Sequence, residues 1–206
     1  MIHPYAVAAF LLAVLPVIAT PGASLTLLIQ HVTAGGRRQA LPVILGTVSG
    51  LYAHAALAIA GLSALVMRSS QAFTAVKLIG AAYLIGLGLW TWRSTTLLPP
   101  PMPAERPKQT GSVYAQALLA NVLNPKAASI YLTLVPQFIV PGRPFGGQIL
   151  TLATAHALLM AVWLLTWTVL IHQGAHIVHK ARFKRVVGKV TAVVLVVLGV
   201  RAAATT

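Results

Sequence analysis

Long apolar stretches recur along this chain, and short connections rich in arginine and lysine separate them. Runs of 18 or more apolar residues read as membrane-spanning helices, and the pattern predicts six of them: 5–29, 40–66, 72–92, 113–139, 149–171 and 186–203. The sixth carries Lys189 in its first turn, whose long stem is expected to reach back to the interface. A proline-rich segment, "STTLLPPPMPAERPKQTGS" (94–112), divides the spans three and three and predicts an extended cytoplasmic linker. The chain is therefore expected to be one membrane domain, 1–206, made of repeats 1–93 and 113–206.

Composition agrees with the pattern. Hydrophobic residues make up 58% of the 206 positions and charged residues 8%, against roughly 25% charged in a soluble domain. The first twenty residues resemble a signal peptide, but no basic residue precedes the apolar stretch and the apolar character continues past Pro21, so a retained first span is expected.

Charge sets the expected orientation. Fifteen Lys and Arg stand against one acid, Glu105. Such a balance raises the question of nucleic acid, but the basic residues lie in the connections and form no separate basic domain. Topogenic charge facing anionic lipid is the reading that follows, with no nucleic-acid partner. Arg37, Arg38, Arg93, Arg106, Lys108, Lys180, Arg182, Lys184, Arg185 and Lys189 fall on one side, and Arg68, Arg143 and Arg201 on the other. The positive-inside rule puts the first set in the cytoplasm and both termini outside.

Two spans are interrupted in similar ways. The first contains "ATPGASLTLL" (19–28) and the fourth "LNPKAASIYL" (123–132). Each places a proline after a small polar residue, Thr20 or Asn124, and before further small residues. Three spans per half would set the second half upside down relative to the first. Inverted repeats with matched broken helices point to a transporter site near the midplane. A break frees N–H groups on one half-helix and C=O groups on the other, with partial charges of opposite sign. An amino-acid zwitterion carries the complementary pair. The plain alternative is a pair of kinked helices with no ligand.

Three further blocks carry a resemblance: "TPGASLTLLIQHVTAGGRRQALPVILGTVSGLYAHAALAIAGLSAL", "FTAVKLIGAAYLIGLGLWTWRS" and "LLANVLNPKAASIYLTLVPQF". In order and spacing they resemble the LysE/RhtB family of bacterial amino-acid exporters, closely through Phe138 and more loosely afterwards. The resemblance implies a small multi-pass protein of the bacterial inner membrane that exports amino acids and related molecules against protons and assembles as a homo-oligomer. Family members usually read Pro-Gly-Pro in the first block. Here Ala23 follows Pro21-Gly22, which keeps the break and loses one rigid joint.

The candidate substrate-binding residues are Thr20, Pro21, Gly22, Asn121, Asn124, Pro125 and Lys126. Lys126 is a charge deep in a span with no acid in any span to pair with, and such a residue usually faces a cavity or a partner. A substrate carboxylate, backbone carbonyls freed by the break, or the cytoplasmic surface could each receive it. Asn121 and Asn124 could bond substrate or satisfy broken backbone, the second role being expected of Asn124. Lys77 is expected to reach the outer interface. His54, on the helix face of Gly46 and Gly50, and His156 are the proton-coupling candidates, each with the alternative of a plain interhelical hydrogen bond. His172, His176 and His179 share a helix face at i, i+4 and i+7; metal binding would need that face, but Lys180 and Arg182 beside it favour an interfacial role. Tyr83, Gln137, Trp90 and Trp92 are expected to pack or anchor, with Gly80 and Gly88 marking close helix contact.

The chain has no cysteine, which removes disulfides, thiol chemistry and thiolate metal sites. Without paired carboxylates or a nucleophile and base in register, an enzyme is not expected, nor is a cofactor. A neutral amino acid is the expected substrate, because no membrane acid would meet a cationic side chain. The competing readings are efflux of another small solute or inorganic cation, and a non-transporting assembly protein.

Overall fold

The computed structural model describes residues 2–68, 112–140 and 142–172, together with separate helical positions between 75 and 93 and between 186 and 204. Lys77, Gly80, Tyr83, Gly88, Trp90, His176, His179 and the linker before Ser112 lie outside the described residues.

The described elements are helical. They are α1 (Pro4–Ala19), α2 (Ala23–Gly35), a short 3-10 turn (Arg37–Gln39), α3 (Ala40–Arg68), α4 (Val113–Val122) and α5 (Pro125–Ser129). α5 runs on into a π-helical turn (Ile130–Leu134) and a 3-10 turn (Val135–Phe138), and α6 (Phe145–His172) follows. Within these residues, 37–61 and 145–171 are each long and apolar enough to cross a membrane alone. Two bent pairs pass the same test when taken together, α1 with α2 (56°) and α4 with Lys126–Phe138 (52°), each a broken span or a re-entrant loop.

Proline makes both breaks, by the same local rule. A residue before proline is driven out of helical geometry into extended backbone. Thr20, before Pro21, has φ −67° and ψ 120°; Asn124, before Pro125, has φ −82° and ψ 111°. The helices restart differently. Pro125 occupies the first turn of α5, where its missing N–H costs nothing. Pro21 lies two residues before the start of its helix: Gly22 caps α2, and Ala23 opens it. The two breaks thus share a cause and differ in register.

Two apolar clusters hold the bundle. One joins α1, α3, the π turn and α6 through Phe10, Val14, Leu51, Tyr131 and Leu152. The other joins α2, α3, α4 and α6 through Leu28, Val43, Ala117 and Leu164. Outward leucines such as Leu12, Leu45, Leu57 and Leu158 are exposed, as expected where lipid is the solvent. Small residues let α3 and α4 touch. A Cβ on Gly46 would collide with the Tyr114 carbonyl, and one on Gly50 would lie 2.6 Å from Asn121 Oδ1. The connection after the 3-10 turn is clamped by Gln148, whose amide accepts from Val140 N (2.9 Å) and donates to Val140 O (3.0 Å). Trp92 is described too, with Lys189 Nζ 5.3 Å from its ring centroid.

Candidate functional site

The two breaks meet at one cavity of about 40 Å³, room for a few waters. Thr20, Gly22, Ala23 and Ser24 line it from the first break, Asn121, Asn124, Lys126 and Ala127 from the second, and His156, Met160 and Trp163 from α6. Pro21 is half-buried beside it and acts on the site through the backbone.

Lys126 joins the two halves. Its Nζ donates to the Thr20 carbonyl at 2.8 Å and lies 3.7 Å from the position a Gly22 side chain would take. The acceptor is the last carbonyl of the first half-helix, one of the groups the break exposes. Thr20 closes α1 a second time: its N–H and its hydroxyl both donate to Pro16 O, at 3.2 and 3.0 Å. Asn124 takes the expected backbone role, its Oδ1 accepting from Lys126 N at 3.0 Å as the cap of α5. The start of α2 receives no side-chain cap, and its first residues, Ala23, Ser24 and Leu25, line the cavity with Lys126. Gly22 O accepts instead from Thr26, through N–H and hydroxyl at 3.0 Å each.

An ammonium group and an uncapped helix N-terminus on one cavity favour an anionic group there. Among the described residues no carboxylate answers them.

The histidines separate. His54 lies outside the cavity lining, and its Nε2 donates to the Asn121 carbonyl at 3.1 Å. His156 lines the cavity, is 1% exposed, and neither ring nitrogen bonds a described protein group. Tyr131 stacks between them, 5.8 Å from His54 and 5.9 Å from His156. Phe10 meets the edge of His156.

The structure brings Thr20, Gly22, Asn121, Asn124 and Lys126, expected at a substrate site, and His156, expected at proton coupling, to the lining of one cavity, and leaves His54 outside it. The sequence pattern missed Ser24, Met160, Trp163 and Tyr131. Met160 and Trp163 stand four and seven residues after His156, so the helical period from that histidine would have found them. Tyr131 had no such signal, because its ring stacks on histidines from two other helices.

The pattern of LysE type translocators matches residues 15–206, across both breaks and the whole cavity. The chain belongs to the LysE type translocator family. An uncharacterized membrane protein of Bacillus subtilis, YrhP, is 30% identical over 93% of this chain and 97% of its own length. An uncharacterized membrane protein of Vibrio cholerae is 34% identical over 80% of each chain. A homoserine/homoserine lactone efflux protein of Salmonella typhimurium is 38% identical over 57% of this chain and 56% of its own length. No solved structure matches the chain. The cavity is thus a feature of a membrane translocator, and its chemistry bears on what such a protein carries.

Proposed function

We propose that this translocator is a secondary exporter of small neutral amino acids or their derivatives, working by alternating access against protons across the bacterial inner membrane. The observation that carries the reading is the meeting of both broken helices at one cavity, with Lys126 Nζ on the Thr20 carbonyl. The ammonium and the α2 amides suit a substrate carboxylate. The Thr20 carbonyl, once Lys126 turns to the substrate, suits its ammonium group. Homoserine and homoserine lactone, named for the Salmonella relatives, are the first candidates for this chain as well. An inorganic cation is the poorer cargo, since such sites want carboxylate or thiolate ligands and the fixed charge here is positive.

The reading includes six spans in two inverted repeats, both termini outside, a cytoplasmic linker and a homo-oligomer. The candidates for proton coupling are His54 and His156.

The test is efflux from intact cells loaded with a panel of dipeptides, with every amino acid released to the medium followed over time. Faster release of one or a few neutral amino acids, lost in Lys126→Ala at equal membrane abundance, is the expected result. No enhanced release of any amino acid from cells holding the protein in the membrane would overturn the reading.

A further inference from the structure

Among the unpartnered polar groups of the cavity lining, which include Asn121 Oδ1 and Trp163 Nε1, His156 is the side chain with two such atoms. It is 1% exposed, it lines the cavity, and neither nitrogen is bonded to a described protein group. Lys126, Asn124 and Thr20 each bond a neighbouring protein group. A buried imidazole that no protein group holds is kept for something that enters the cavity. A neutral imidazole offers one donor and one acceptor. Its surroundings fix its plane without occupying its nitrogens: Tyr131 stacks on one face and Phe10 meets it at an interplanar angle of 80°. Leu51, Ile130 and Met160 are among the apolar residues that line the same cavity.

Resting on the exporter reading above, we propose that His156 is a specificity residue that reads a hydroxyl at the end of the substrate side chain. Lys126 and the α2 amides take the carboxylate at one end. Of the lining groups without a hydrogen-bond partner, Asn121 Oδ1 only accepts and Trp163 Nε1 only donates, whereas the imidazole offers both a donor and an acceptor. A hydroxyl both donates and accepts, so it pairs with either tautomer. A methyl group of the same size leaves the imidazole buried and unpaired, and sites built to bond a hydroxyl reject such isosteres strongly.

The experiment compares isosteric pairs, homoserine with norvaline and threonine with valine, in export by the intact protein and by His156→Phe and His156→Asn at matched membrane abundance. The protein as it stands should favour each hydroxylated member by about tenfold or more. His156→Phe should bring both ratios close to one by gaining export of norvaline and valine, and His156→Asn should restore part of the preference. This pattern separates a reader from a proton carrier, whose loss would lower export of all four substrates together. Ratios near one in the unaltered protein would overturn the assignment while leaving the exporter standing, as would ratios that survive in His156→Phe. If the unaltered protein exports none of the four and no other amino acid, the exporter reading itself falls.

Discussion

At the scale of single residues, Lys126 joins the two breaks. Its charge was visible in the sequence because it is isolated: no acid in any span could neutralise it. Its partner was also foreseeable in kind, since a break must leave carbonyls free, and Thr20 O is the one it takes at 2.8 Å. A hydrogen bond to a charged group contributes about 1.5–3 kcal/mol, equivalent to roughly ten- to hundredfold in affinity. Homoserine and its lactone separate that contribution cleanly, because the lactone keeps the ammonium group and has no carboxylate. In inside-out vesicles carrying a labelled substrate, Lys126→Ala should weaken competition by homoserine by roughly ten- to hundredfold and change competition by the lactone little. Equal weakening of both would show that Lys126 acts on the frame of the site and not on a carboxylate. Tyr131 lies at the other limit of legibility. Its ring is placed between two histidines 77 and 25 residues away in sequence, and no local pattern encodes such a meeting.

At the scale of elements, the informative signals were prolines and glycines. The prolines gave both breaks correctly, because the rule that acts on the preceding residue is local. They did not give the register: α2 begins two residues after Pro21 and α5 begins at Pro125, a difference that depends on Gly22 serving as cap. Gly46 and Gly50 marked the seam of α3, and the structure supplies α4 as what fills it. The two glycines should fail differently. Gly46 faces the backbone of Tyr114, which cannot swing aside, whereas Gly50 faces the side chain of Asn121 at the cavity. Overpacking a well-filled contact costs about 1–3 kcal/mol. Gly46→Ala is therefore expected to lower thermal stability in detergent and membrane abundance. Gly50→Ala should instead push Asn121 into the cavity, lowering export per molecule with a smaller loss of stability. Equal stability losses with equal export per molecule would remove Asn121 from the site.

At the scale of the whole molecule, the hydrogen bonds tie the first part of the chain to the second. Lys126 reaches Thr20, His31 pairs with Gln116 at 3.1 Å, Tyr52 with Thr154 at 3.0 Å, and Tyr114 donates to Ser49 at 3.0 Å. Hydropathy foresaw helices, and the residues of both breaks line one cavity, but which helix touches which depends on side-chain shape along whole faces and was not readable. Orientation is the large-scale property that the sequence addresses most directly, through the placement of arginine and lysine. It predicts that the turn around Arg37 and Arg38 faces the cytoplasm and the turn around Arg143 faces out. The absence of cysteine makes this easy to measure, because any thiol introduced is the only one present. Ala34 and Pro144 are both exposed, one beside each turn, so substitution at either disturbs little packing. In intact cells Pro144→Cys should react with a membrane-impermeant thiol reagent added outside, and Ala34→Cys should react only after the membrane is opened. The reverse pattern would turn the protein over in the bilayer. An exporter driven by the inward proton gradient would then present Lys126 and the broken helices to its substrate from the opposite side, and the assignment of the linker to the cytoplasm would fall with it. Labelling of both positions from outside would break the count of spans between them, since residues 34 and 144 must lie on opposite faces if 40–66, 72–92 and 113–139 each cross once.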